Sequence, residues 1–181
     1  MLTTLEVRWF EPGPAPDEVG HWFDVNCPGE LLDPPEARED LYLYTPEFEA
    51  INIKRRWENL ELKLRQAELG IRNFGPREGA TGSTTCWEGK IERWRKWGDG
   101  DAGTPSLLSS KIIKTRPWVA VQKVRRKRIY QGICCELTQL GLSNYPWWSI
   151  AFEMVEEEAQ GLESFEKLVS LVSETYRGPK L

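Results

Sequence analysis

The sequence predicts a mainly β fold (α+β), an eight-stranded barrel with flanking helices, one of them near the C-terminus; three observations predict it. Eight segments alternate apolar and polar residues with the period of two that a strand requires. Strand after strand repeats ionised residues of both signs on one face. Near its end the chain carries an apolar stripe with helical spacing. An open sheet or sandwich with its charged faces in water is the plainer reading of the alternation alone. The recurrence of charge where Thr and Ser would serve solubility as well favours closure, which also removes the exposed edges of a large sheet.

The strands are expected at 4–10, 40–45, 50–56, 59–68, 88–97, 118–130, 133–140 and 147–155. In the first, Leu5, Val7 and Trp9 share one face while Thr4, Glu6 and Arg8 share the other. In "INIKRR", Ile51 and Ile53 oppose Asn52, Lys54 and Arg56, which leaves Arg55 on the apolar side. After a tight turn near Trp57, Glu58 and Asn59, the fourth strand sets Leu60, Leu62 and Leu64 against Glu61, Lys63 and Arg65. The sixth runs through Val119 and Val121 to Lys123 and Arg125 on one parity, and "RRKR" then shows no clean pattern. The last two set Cys135 and Leu137 against Glu136 and Thr138, and Ile150, Phe152 and Met154 against Ser149, Ala151 and Glu153.

Two helices are expected. One covers 16–24, opened by Pro16 and Asp17; the other covers 162–176, with Leu162, Phe165, Leu168, Val169, Val172 and Tyr176 on one stripe and Gly178 and Pro179 as stop signals. They can cover only part of the apolar faces. The stretches 73–84 and 98–110, rich in Gly, Ser and Thr, read as mobile connections, and neither has the Lys-Ser/Thr pair of a phosphate-binding loop.

A chain of 181 residues needs no more than one domain, here 1–181, and nine Trp supply large apolar surfaces. With 24 basic against 28 acidic residues the net charge is −4, so the molecule as a whole does not attract nucleic acid or membranes, and any basic function must be local. No apolar run approaches a membrane span and the first residues do not resemble a leader, which suggests a cytoplasmic protein. Cys27, Cys86, Cys134 and Cys135 show no C-x-x-C spacing and read as small apolar fillers. The only histidine, His21, falls in the first helix and reads as a packing residue.

If the barrel closes with its charged faces inward, the lumen holds Arg8, Lys54, Arg56, Lys63, Arg65, Lys123 and Arg125, opposed by Glu6, Glu61, Glu136 and Glu153. So many charges are too costly for a dry core, so the lumen must be wet or filled by a polyanion. A polyphosphate suits it, because guanidinium groups bind phosphate oxygens in pairs and Lys adds point charge. The carboxylates suit Mg2+ or Mn2+, which prefer oxygen ligands.

At these residues the chain resembles the CYTH superfamily, the triphosphate tunnel metalloenzymes, whose members have an eight-stranded antiparallel barrel open as a tunnel. The family's E-x-E-x-K strand corresponds here to Thr4, Glu6 and Arg8, with one glutamate replaced. "EDLYLYTPEFEAINIKRR" is similar to its segment of an Asp and aromatics before a basic strand, giving Asp40, Tyr42, Lys54 and Arg56. "LELKLR" resembles its E-x-K-x-R strand and "VQKVR" its K-x-R strand; "CELTQL" supplies Glu136 and "WWSIAFEM" supplies Glu153, with Ala151 where a second glutamate is expected.

The resemblance implies a phosphate-binding set of Arg8, Lys54, Arg56, Lys63, Arg65, Lys123 and Arg125, with Lys63 and Arg65 also catalytic. It implies metal ligation of Mg2+ or Mn2+ by Glu6, Glu136 and Glu153. The expected function is binding of a triphosphate-containing anion and its hydrolysis with a divalent metal, the substrate being inorganic triphosphate or a nucleoside triphosphate. Thr4 and Ala151 keep open the alternative of a non-catalytic binding or scaffold protein. The expected partner is a small polyphosphate or nucleotide, with no membrane. Nucleic-acid binding by "KVRRKR" at 123–128 has only its basic cluster to recommend it.

Overall fold

The computed structural model describes residues 1–57, 59–74, 87–98, 114–157 and 161–176. Its eight strands are β1 (Leu2–Pro12), β2 (Glu30–Leu43), β3 (Ile51–Arg56), β4 (Asn59–Phe74), β5 (Trp87–Trp97), β6 (Trp118–Tyr130), β7 (Ile133–Leu142) and β8 (Tyr145–Val155). They close in the order β1-β5-β4-β3-β2-β6-β7-β8, and every neighbouring pair is antiparallel. The expected barrel is therefore present. Closure leaves no sheet edge open and lets the charged parity of each strand share one lumen.

The largest departure from the sequence reading is β2. It begins at Glu30, ten residues before the expected start, and runs through Pro34 and Pro35, residues that speak against a strand because proline cannot donate to the ladder. The pairing with β6 is broken between Leu32 and Glu36, so both prolines fall where no ladder bond is needed. β4 is also longer than expected; it continues to Phe74 with register shifts between Arg65 and Ala67 and between Glu68 and Ile71. The β3–β4 pairing sets Asn52 opposite Lys63 and Lys54 opposite Glu61, and Trp57 takes a left-handed conformation (φ 52°) at the turn.

Against the barrel pack α1 (Asp17–His21), extended by a π-helical turn over Trp22–Asn26, and α2 (Leu162–Ser173). Both join the apolar cluster on the outer faces of β1, β4, β5, β7 and β8. Leu5, Val7, Ile91, Ile150, Phe152 and Met154 are buried there with Phe165, Val169 and Val172 of α2. Trp87 lies at the centre, in edge contact with Trp9, Trp22 and Tyr176 at centroid distances of 5.5, 5.6 and 5.2 Å. A second apolar cluster, Leu43, Ile53, Leu62 and Trp97, lies on the outer parity of β2 to β5.

The helix expected to 176 ends at Ser173, and its stop signals Gly178 and Pro179 lie outside the described residues, as do Cys86, Glu58, most of 73–84 and all but Gly98 of 98–110. Among the described residues no helix is long and apolar enough to cross a membrane.

Candidate functional site: a basic barrel lumen

The barrel encloses a cavity of about 590 Å³ lined by ten Lys and Arg side chains and five Glu carboxylates. Arg8, Lys54, Arg56, Lys63, Lys123 and Arg125 all line it, and so do Glu6, Glu136 and Glu153. The alternation of each strand brings them together, since all occupy one parity. Arg65 shares that parity but is not among the lining residues. Its guanidinium is held by Glu92 at 2.6 Å and Glu68 at 3.1 Å, against the ring of Trp94.

One group of charges centres on Arg8. Its Nε donates to a Glu6 oxygen at 2.9 Å, one terminal nitrogen to Glu136 at 2.8 Å and the other to the Ser149 hydroxyl at 3.3 Å. The second oxygen of Glu6 accepts from Lys63, and the second oxygen of Glu136 accepts from Arg125 at 2.7 Å. Burial opposes ionisation of both carboxyls, but their cationic partners outweigh it. Glu6 is held well below the usual carboxylate range by Arg8 and Lys63, and Glu136 is drawn down to about 2 by Arg8 and Arg125.

A second group is built around Asp40, which is fully buried. Its carboxylate receives Arg38 at 3.0 Å, Arg56 at 3.2 Å and Lys123 at 3.2 Å. Lys123 also donates to the Tyr42 hydroxyl. Glu61 spans Lys54 at 3.0 Å and Arg56 at 3.1 Å, so it pairs with the neighbouring strand and not with Lys63. Glu153 accepts from Lys96 at 2.6 Å. Burial pushes the ammonium groups of Lys54, Lys63 and Lys123 below the ordinary lysine value, partly offset by the anions beside them.

The three carboxylates expected to hold a divalent ion thus each serve a basic partner. Among the described residues, no cluster of three or more His, Cys, Asp or Glu side chains is arranged for a metal. The side chains as placed do not fit a resident Mg2+ or Mn2+, because the Arg8 guanidinium lies between Glu6 and Glu136. Cys134 also lines the cavity, and burial pushes its thiol up to about 12, so it is protonated at neutral pH.

Several lining residues escaped the sequence reading. Arg38 lies in a stretch whose prolines speak against a strand, and Lys90, Glu92, Trp94 and Lys96 lie on β5, where Trp and charged residues occupy both parities. Lys127 lies in "RRKR", where the alternation in fact persists: Lys127 lines the cavity, while Arg126 meets Asp24 at 2.8 Å and Arg128 meets the backbone near α1, both outside the barrel. The basic cluster at 123–128 is therefore divided between two faces and does not form one strip for nucleic acid.

No family model matches the chain, and no curated protein matches it. Among solved structures, it is similar to a conserved hypothetical protein from Pyrococcus furiosus, at 12% identity and a TM-score of 0.47 over 98% of this chain and 96% of that one. It is similar to a putative adenylate cyclase from Bacillus halodurans, at 12% identity and a TM-score of 0.47 over 100% and 96% of the two chains. It is also similar to an RNA triphosphatase from S. pombe, at 12% identity and a TM-score of 0.45 over 94% of this chain and 81% of that one.

Proposed function

We propose that the lumen binds a polyphosphate anion, either inorganic triphosphate or the triphosphate of a nucleotide. The observation that carries this reading is the charge of the wall: ten basic side chains face five carboxylates in one cavity of about 590 Å³. Asp40 and Glu36 stand behind it and hold Arg38, Arg56, Lys123, Arg125 and Lys127, yet the positive excess remains. A multiply charged anion relieves that repulsion, and the partly buried position of its partners strengthens each contact over its worth in water. Arg56 and Arg125 offer the N–H groups not already given to Asp40, Glu61, Glu36 and Glu136, and Lys54, Lys63 and Lys123 offer point charges from facing strands.

A second reading adds hydrolysis of the bound anion with Mg2+ or Mn2+ brought in by the anion, with Lys63 and Arg65 stabilising charge on the transferred phosphoryl group. Glu6, Glu136 and Glu153 line the same cavity as the basic residues, and this reading requires the metal to displace Arg8, Lys63, Arg125 and Lys96 from them. Calorimetric titration with tripolyphosphate and with ATP tests the first reading. Binding that weakens at least tenfold in Lys63→Ala is expected, and no heat with either anion removes it. Phosphate release from the same anions with each metal tests the second; none above blank removes hydrolysis and leaves binding.

A further inference from the structure

All three nitrogens of the Arg8 guanidinium have a protein partner, which engages three of its five N–H groups. Glu6, Ser149 and Glu136 accept from its three nitrogens, and the Phe10 ring lies 5.8 Å from its central carbon. The two carboxylates have no free oxygen, since Lys63 and Arg125 take the remaining ones. All four oxygens of the deepest lumen carboxylates are thus bound by protein cations, with the Glu6 and Glu136 side chains only 8% and 7% exposed.

Strand register explains how Arg8 reaches both. Arg8 on β1 is opposite Ala151 on β8, which is opposite Glu136 on β7, so the three form one row across the wall. Ala151 contributes only a methyl group to that row. The Arg8 side chain passes over it to Glu136, and a longer side chain at 151 would block the path. The guanidinium is a permanent cation, fixed between two carboxylates where a divalent ion would otherwise sit.

Resting on the polyphosphate reading, we propose that Arg8 serves as a built-in cation, that the lumen takes its polyphosphate free of metal, and that the metal-chelated anion is the poorer ligand. A divalent ion carried in by the anion would meet a fixed guanidinium at close range, and each chelated ion also removes two negative charges from the ligand. Arg8 is here a binding residue, and Ala151 a positioning residue that opens its path.

The test is calorimetric titration of the wild-type protein with tripolyphosphate, once in a chelating buffer and once with excess Mg2+. Binding in chelator that weakens about tenfold with Mg2+ is expected. Binding that requires Mg2+ overturns this inference but leaves the polyphosphate reading intact. No binding under either condition removes that reading and this inference with it. In Arg8→Gln, affinity in chelator should fall at least tenfold and Mg2+ should then tighten binding, the ion replacing the lost charge. Wild-type affinity in that variant would count against the proposal. Mn2+ binding followed by electron paramagnetic resonance, without any anion, gives an independent readout. Wild-type protein should leave free Mn2+ unchanged and Arg8→Gln should deplete it; micromolar Mn2+ binding by the wild type overturns the inference.

Discussion

Arg38 and Asp40, two residues apart on β2, form an ion pair at 3.0 Å in which the Asp40 side chain is fully buried and that of Arg38 is 3% exposed. The same carboxylate holds Arg56 and Lys123, so one buried anion fixes three cations of the lumen wall. Asp40→Asn preserves the shape and removes the charge, leaving those cations uncompensated. A loss of about 3 kcal/mol is expected, the scale for removing one partner of a buried pair. Urea denaturation followed by tryptophan fluorescence measures it, and an unchanged midpoint would show that the cations find other partners.

Acid should unfold the protein through the same groups. Burial opposes ionisation of Asp40, Glu36 and Glu136, but neighbouring cations draw each carboxyl down to about 2 from ordinary values of 3.8 to 4.5. A depressed folded-state value means that these groups contribute their stability above the unfolded value and lose it as pH falls. The urea midpoint should be level from neutral pH to about 4.5, then drop steeply towards 2. A level profile down to pH 2.5 would contradict the pairing.

The lumen lysines set the opposite limit. Burial lowers the values of Lys54, Lys63 and Lys123 from the ordinary 10.5, so their charge is lost at lower pH than that of a surface lysine. Tripolyphosphate affinity should therefore begin to fall as pH rises, before 10.5 is reached. Lys123→Arg should flatten that decline, because the guanidinium stays charged. A variant whose affinity falls in parallel with the wild type would show that Lys123 does not contact the anion.

Packing on the outer face can be tested at Gly89 of β5. A Cβ there would lie 2.5 Å from the Trp9 ring and 2.6 Å from a Val7 methyl, both in the densely packed core under the helices. Gly89→Ala should cost about 1–3 kcal/mol through overpacking. At Gly141 the nearest atom is 3.6 Å away, so Gly141→Ala serves as a control with little change in thermal midpoint. Equal losses at both positions would mean that backbone conformation, and not the Trp9 contact, sets the cost.

Most of the barrel was legible because a closed lumen forces each strand to keep one charged parity, and that period of two survives in the bare sequence. Leu60 to Arg65 is the plainest case, with Glu61 and Lys63 reaching the cavity as the alternation required. Legibility failed where the alternation was interrupted or crowded. Pro34 and Pro35 hid the first part of β2 and with it Arg38, although the register break there spares both prolines a ladder bond. Arg65 has the right parity, but its pairing with Glu92 depends on β5, which no local pattern connects to it. The pairing of Arg8 with Glu136 was equally hidden, since it needs the three-strand row through Ala151. Charge type and parity can be read along one strand; which cation meets which carboxylate is a property of register between strands.

Lys127 and Arg128 on β6 are adjacent in sequence and point to opposite sides of the wall. Lys127 lines the lumen beside Glu36 at 3.3 Å, whereas Arg128 donates to the carbonyls of Phe23, Asp24 and Gly29 at 2.6, 2.5 and 2.6 Å. Arg128 thus ties the end of the first helical segment to the barrel, where carbonyls lacking helical partners favour a cation. Arg128→Ala should lower stability by about 1.5–3 kcal/mol, the range for hydrogen bonds to a charged group, and leave tripolyphosphate affinity within about twofold of wild type. Lys127→Ala should do the reverse, weakening the anion about fivefold with a small change in stability, because it removes one point charge from a partly solvated wall. Urea midpoints and titration calorimetry on both variants decide the matter: if Arg128→Ala also loses anion affinity, the division of the 123–128 cluster between two faces does not hold in solution.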